Sequence, residues 1–258
     1  FLSVASNKVP QLIFVGDSMV ARMGHVLKLE NGKEKPGRPL VSDVFAAQWP
    51  SPLLLGVQTD QTQQLLWRLA NGEMPSAAAN DPSAIMVLII GTNNLFFGQT
   101  NDETHRGVMA CVRDLLTRAT GRLLVVGILP RFDNPWKTYG AVLRPRPLDG
   151  GAREADLQPW FDDSSPLLEP FSRDEHPYLD LIADVNAKLR TSVHELAAEQ
   201  RNRRLAFVDC NHAFPRNWTK AAPMFLADRL HLHQERGYRK LATCLERPLH
   251  HLEGRSEG

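Results

Sequence analysis

Five short runs of nearly uninterrupted apolar residues limit what this chain can fold into. They are QLIFV (11–15), PLLLGV (52–57), AIMVLII (84–90), RLLVVGIL (122–129) and RLAFVDC (204–210). A strand with one face in water alternates polar and apolar side chains, whereas a strand covered on both faces stays apolar. The runs therefore read as strands of a parallel sheet packed between helices. Helical spacing supplies the covers. Residues 61–70 (QTQQLLWRLA) stop at Asn71-Gly72, which suits a helix C-terminus. Residues 102–119 carry Val108, Val112, Leu115 and Leu116 at helical spacing. Residues 178–200 do the same with Leu181, Ile182, Val185, Leu189, Val193 and Leu196, and a last helix is expected over about 234–249. Strand–helix alternation of this kind predicts a doubly wound α/β fold.

One stretch breaks the rhythm. Residues 132–177 hold seven prolines and Gly150-Gly151 with few periodic apolar positions. A segment this long without its own pattern reads as an insertion, either a surface excursion or a wall against substrate. The remainder, at 258 residues in all, is enough for a single large domain with a sizeable core. Thirty basic and 29 acidic side chains leave a net charge of +1. That balance gives no general electrostatic case for nucleic acid or an anionic membrane, although RPRP (144–147) is a local basic cluster. No apolar run is long enough to span a bilayer, so no integral membrane segment is expected. Cys111, Cys210 and Cys244 are far apart and form no C-x-x-C, so they read as buried free thiols rather than as a zinc site or a disulfide. Phe1 opens the chain in place of Met, which reads as a processed or excised piece, and Asn217-Trp218-Thr219 is a glycosylation sequon that leans slightly towards secretion.

Ligands of open α/β sheets bind beyond the carboxyl ends of the strands. Four polar segments fall near such ends or in a late loop: GDS (16–18), GVQTDQT (56–62), GTNN (91–94) and DRLHLH (228–233). Ser18 offers a hydroxyl at a helix start, where unpaired backbone N–H groups can face a developing oxyanion. A serine hydroxyl is inert without a base beside it. Asp228 and His231, three apart, can supply one, with the carboxylate fixing the tautomer that leaves Nε2 free. Asn93 offers an uncharged amide donor. Each feature also has an ordinary reading. Ser18 alone reads as a cap, Asn93 and Asn94 as turn residues, and His231-x-His233 with Asp228 as metal ligands. A phosphate-binding helix start is a further alternative, but the chain has neither G-x-x-x-x-G-K-[ST] nor G-x-G-x-x-G. Joint occurrence of the four segments, in this order, favours a catalytic serine.

FVGDS, the polar turn after the second strand, GTNN and a late D-x-x-H together resemble the four blocks of the SGNH (GDSL-type) hydrolases. Within that family the chain is similar to the catalytic subunits of intracellular platelet-activating-factor acetylhydrolase. The stretches that carry this are LLWRLANGEM (65–74), IGTNN (90–94), GILPR (127–131), IADVNAKLR (182–190) and DRLHLHQERGY (228–238). The resemblance implies a three-layer α/β/α, flavodoxin-like fold with a parallel five-stranded sheet. It implies Ser18 as nucleophile, His231 as base and Asp228 as its orienter. The oxyanion donors would be Ser18 N–H, Thr59 N–H and the Asn93 amide, with no metal or organic cofactor. The substrate would be a short acyl ester, acetyl above all, of a lipid or carbohydrate alcohol. Related subunits dimerise and are cytoplasmic, so a homodimer in that compartment is the corresponding expectation. One departure stands out: the second block of the family reads G-G-D-x-T or S-G-D-x-T, and here Gln58 and Thr59 occupy the first two positions. An impaired, binding-only relative is the alternative this departure raises.

Overall fold

In the computed structural model, the described residues are 11–24, 26–30, 33–37, 45, 49, 52–133, 177–199 and 204–254. The five apolar runs supply five strands: β1 (Leu12–Gly16), β4 (Leu53–Gly56), β5 (Ile85–Ile89), β6 (Arg122–Val126) and β7 (Leu205–Val208). They form one parallel sheet in the order β4-β1-β5-β6-β7. This is the flavodoxin-like order, and the chain direction across the sheet reverses between β1 and β5. A small antiparallel hairpin, β2 (Val26–Glu30) with β3 (Lys33–Gly37), lies outside the sheet and was not expected from the sequence. KPG at its end and the charged residues along it gave no apolar run to find.

Strand parity divides the core in two. Leu12, Phe14, Ile85, Val87, Ile89, Leu124 and Val126 face one layer, and Ile13, Val15, Met86, Leu88, Leu123 and Val125 face the other. Helices α1 (Ser18–Ala21) and α8 (Arg236–Glu253) cover the first face. Helices α2 (Thr62–Ala70), α5 (Asn101–Arg118) and α6 (Pro177–Glu199) cover the second. Each falls within a few residues of its expected span, because a buried apolar stripe at 3.6-residue spacing is the strongest local signal a chain carries. Short helices α3 (Ser76–Ala79), α4 (Thr92–Phe96) and α7 (Trp218–Ala221) complete the turns. Thr100 and Glu103 make a reciprocal capping box at the start of α5.

The cysteine expectation needs correction. Cys210, in the turn after β7, is disulfide-bonded to Cys244 of α8, with their Cα atoms 5.8 Å apart. Thirty-four residues separate the two in sequence, so no local spacing announces the bond. Packing of α8 across the end of β7 brings them together. Cys111 is free and buried on α5, and burial pushes its thiol up to about 12. Of the 132–177 insertion, residues 134–176 lie outside the described residues, as does the RPRP cluster. Among the described residues no helix is long and apolar enough to cross a membrane.

Candidate active site

The carboxyl ends of β1 and β5 flank the reversal point of the sheet, and both are followed at once by polar turns. A Cβ at Gly16 would collide with the Ile89 carbonyl, so the two strand ends can approach only through glycine. Asp17 then caps α1, its Oδ1 accepting from Met19 N–H at 2.9 Å. Ser18 is the first residue of α1 and almost fully buried. After β5, Gly91 takes a φ of 118° that L side chains rarely adopt, and α4 begins there.

Asp228 and His231 reach Ser18 from the opposite end of the chain. Asp228 Oδ1 accepts from the N–H groups of Leu230 (3.0 Å) and His231 (2.9 Å), which folds the loop around its carboxylate. Its Oδ2 lies 2.7 Å from His231 Nδ1, and His231 Nε2 lies 2.9 Å from Ser18 Oγ. Burial pulls the Asp228 pKa upwards, but the imidazole and the two backbone N–H donors outweigh it and hold the group down to about 2. Outer bonds pin the loop. Leu226 N–H donates to His231 O (2.8 Å), His233 N–H to Met224 O (2.7 Å), and Phe132 N–H to Arg229 O (2.8 Å). On α8, Tyr238 Oη donates to Met19 O (2.8 Å), tying the helix that follows His231 to the helix that carries Ser18.

The second polar turn lies beside both other blocks. Val57 N–H donates to Gly16 O (3.3 Å), and Asn93 Nδ2 donates to Asp60 O (2.9 Å). Asp60 N–H donates back to Val57 O (3.4 Å), closing a turn with Thr59 at its third position. Thr59 has a φ of 63°, the left-handed conformation that a type II turn requires there and that glycine usually supplies. The chain thus adopts the backbone of a glycine with a β-branched residue. Among the described residues neither Ser18 N–H nor Thr59 N–H has a protein acceptor. Asn93 spends one amide hydrogen on Asp60 and keeps the other.

Several supporting residues were missed in the sequence. Arg68 of α2 donates from Nη2 to Gly16 O (3.0 Å) and from Nε to Asp60 Oδ2 (2.7 Å), joining β1 to the second turn. Asn94 is fully buried, its Oδ1 accepting from Thr62 N–H (3.1 Å) and its Nδ2 donating to Thr62 Oγ1 (2.9 Å), so it fixes the start of α2. Arg131, just past β6, is buried against Asp133 (2.7 and 2.5 Å) and donates to Thr92 O (2.9 Å), while Phe96 and Tyr178 flank its guanidinium. Asn186 of α6 makes a paired contact with the Ile128 N–H (2.8 Å) and C=O (3.0 Å). Polar residues in the turns after strands, and a lone Asn on the apolar stripe of an amphipathic helix, were the available signals. Asp17 is the other surprise. Burial, opposed by the Met19 N–H and reinforced by Asp60, pushes its carboxyl up to about 7, and its Oδ2 has no hydrogen-bond partner among the described residues. Asp60 is raised as well by burial, despite Arg68.

His231 has both ring nitrogens engaged, and His233 Nδ1 accepts from Arg236 N–H (3.4 Å). Among the described residues no group of three or more His, Cys, Asp or Glu side chains is placed to hold a metal. A cleft of about 550 Å³ opens beyond β6 and β7 between Pro130, Leu179, Arg190 and Phe214, and its lining includes none of Ser18, Asp228 or His231.

Some known proteins match this chain in sequence and others in fold. Bovine and human platelet-activating factor acetylhydrolase IB subunit alpha1 are each 33% identical over 136 residues, covering 52% of this chain and 50% of theirs. The chain thus matches about half the length of these curated relatives. A GDSL-like lipase from Bacteroides thetaiotaomicron superposes with a TM-score of 0.58 at 14% identity, covering 95% of this chain and 90% of that one. An acetylxylan esterase from Geobacillus stearothermophilus superposes with a TM-score of 0.54 at 13% identity, covering 93% and 94%. At such identities the superpositions establish a common fold. Family membership rests on the sequence itself, where the model of one family matches residues 14–240, from the middle of β1 into α8. The chain belongs to the GDSL-like lipase/acylhydrolase family.

Proposed function

We propose that the protein is a serine ester hydrolase working through Ser18, His231 and Asp228. The observation that carries this is the unbroken relay from Asp228 Oδ2 to His231 Nδ1 (2.7 Å) and from His231 Nε2 to Ser18 Oγ (2.9 Å). Neutral His231 takes the hydroxyl proton as Ser18 Oγ bonds to the ester carbonyl carbon. Asp228, held as a carboxylate, stabilises the imidazolium that forms. The carbonyl oxygen becomes an oxyanion received by Ser18 N–H, Thr59 N–H and the free Asn93 hydrogen. Collapse breaks the bond to the alcohol, which leaves with the proton from His231. Water then gives a proton to His231, attacks the acyl-serine and releases the acid, restoring Ser18. Thr59 does not spoil this arrangement, because its backbone already holds the left-handed turn that a glycine would supply.

The acyl group we propose is acetyl. The curated relatives are named as acetylhydrolases and one structural neighbour as an acetylxylan esterase, and a short acyl chain needs no apolar tunnel. The test is hydrolysis of p-nitrophenyl acetate by the parent and by Ser18→Ala. The variant should lose all activity above the uncatalysed rate and keep its fold by circular dichroism; full activity in Ser18→Ala would overturn the proposal.

A further inference from the structure

Gln58 and Thr59 add two side chains where the family pattern has small residues. Both are exposed, on a turn hydrogen-bonded at one side to the end of β1 and at the other to Asn93. They therefore stand at the mouth of the site, not on a distant surface. Keeping a β-branched residue in the left-handed conformation costs about 1–2 kcal/mol relative to glycine. Strained residues of this kind cluster at binding and active sites. Thr59 Oγ1 donates to Gln58 O at 2.6 Å, which fixes the hydroxyl and leaves its lone pairs open as acceptors. Gln58 has no side-chain hydrogen bond among the described residues, so its amide presents both a donor and an acceptor.

The surroundings continue the same chemistry. Gln61 Oε1 accepts from Gln63 Nε2 (3.0 Å) and from Gln99 Nε2 (3.3 Å), forming an uncharged shelf of amides behind the turn. The carboxylate within the turn, Asp60, is turned inwards and paired with Arg68. Among the described residues the exposed large hydrophobics are Val57, Trp67 and Leu181, on three separate elements. Among the described residues of the turn an alkyl chain finds only Val57, whereas hydroxyl groups find the neutral donors and acceptors of Gln58 and Thr59.

We infer that Gln58 and Thr59 form a polar rim that selects acetyl esters of hydroxyl-rich, carbohydrate-type alcohols over acetyl esters of lipids. The inference rests on the Ser18 hydrolase reading and specifies the alcohol it serves. The rim hydrogen-bonds hydroxyls flanking the scissile ester, so its contribution lies in substrate capture. Each lost hydrogen bond to a neutral group is worth roughly three- to tenfold in kcat/KM.

The experiment compares three probes: acetylated xylo-oligosaccharides, a 1-alkyl-2-acetyl-glycerophosphocholine in mixed micelles, and p-nitrophenyl acetate as a reference lacking both features. Parent, Gln58→Gly, Thr59→Ser, Gln58→Gly/Thr59→Gly and Ser18→Ala are assayed, with melting temperatures to exclude misfolding. The parent should prefer the carbohydrate ester to the lipid. In the double glycine variant the ratio of carbohydrate to p-nitrophenyl acetate kcat/KM should fall about tenfold or more, through KM, while Thr59→Ser keeps the ratio within twofold. A parent that prefers the lipid, or that cleaves neither natural-type ester, overturns the inference. So does a ratio unchanged in both Gln58→Gly and the double variant. If Ser18→Ala still cleaves the probes, the hydrolase reading itself fails; if it is inactive while the ratio stays fixed, only the rim inference fails.

Discussion

Two turns adjoin the Ser18 segment, one bonded to Gly16 and the other carrying His231, and they hold the same kind of strain by different means. Thr59 in one and Arg229 in the other have φ values of 63° and 60°, the positive-φ residues other than glycine among those described. Around Arg229 the backbone is over-determined. Asp228 accepts two N–H groups, Arg229 O accepts from Phe132, and the Arg229 guanidinium lies over Trp218 at 4.9 Å. Around Thr59 the bonds fall on its neighbours: Val57 N–H on Gly16 O, a 3.4 Å closure from Asp60 to Val57, and Asn93 and Arg68 on Asp60, while Thr59 itself contributes, among the described residues, its hydroxyl on Gln58. A base must be held to a fraction of an ångström, whereas a rim that contacts varied alcohols gains from tolerance. Under the proposed mechanism, strain is clamped where the proton would be transferred and more lightly held where the substrate would dock.

Breaking the clamped side should have the largest effect. Asp228→Ala removes the imidazole partner and both turn hydrogen bonds, and kcat should fall about 10⁴-fold in a p-nitrophenyl acetate assay. A loss under tenfold would mean that the turn is not what orients His231. Crossing to the other side, Asn93→Ala removes the proposed oxyanion donor and the support of Asp60, and should cost roughly 10²–10³ in kcat with little change in KM. A KM effect alone would place Asn93 in binding.

The disulfide secures the layer under the clamped side. In the chain-entropy account, closing a 34-residue loop is worth about 3–4 kcal/mol, so Cys210→Ser/Cys244→Ser should lower the urea midpoint accordingly. An unchanged midpoint under reducing and oxidising conditions would contradict this. Asp17 adds a pH dependence with an unusual sign. Its folded carboxyl titrates near 7 against an ordinary 3.8, so between those values the unfolded chain ionises it and the folded protein does not. Stability should fall as pH rises from about 4 to about 7, and Asp17→Asn should flatten that slope in urea titrations. Smallest of all, Thr59→Gly should raise stability by about 1 kcal/mol by relieving the strain. Arg229→Gly should gain less, because it also loses the contact with Trp218. Equal gains in the two would erase the distinction between the turns.

Much of this was legible in the sequence because it depends on short-range pattern. Apolar runs such as AIMVLII mark buried strands, and Asp228-x-x-His231 lies within one loop, so spacing alone suggests their pairing. That Ser18 meets them is a long-range fact, and the sequence supports it only through the order of the blocks. The Cys210–Cys244 bond, the Arg131–Asp133 pair against Thr92 and the Arg68 link from Gly16 to Asp60 were hidden because their partners or purpose exist only after packing. Thr59 shows the limit in the other direction. Residue type pointed to a missing glycine, yet tertiary context imposes the glycine backbone on threonine.

The most direct measurement is reaction of the parent protein with a fluorophosphonate probe, followed by peptide mass spectrometry. Such a probe modifies a serine only where a base activates it. Stoichiometric labelling of Ser18, abolished in His231→Ala, is the result the account predicts; an unlabelled Ser18, or labelling that survives loss of His231, would contradict it.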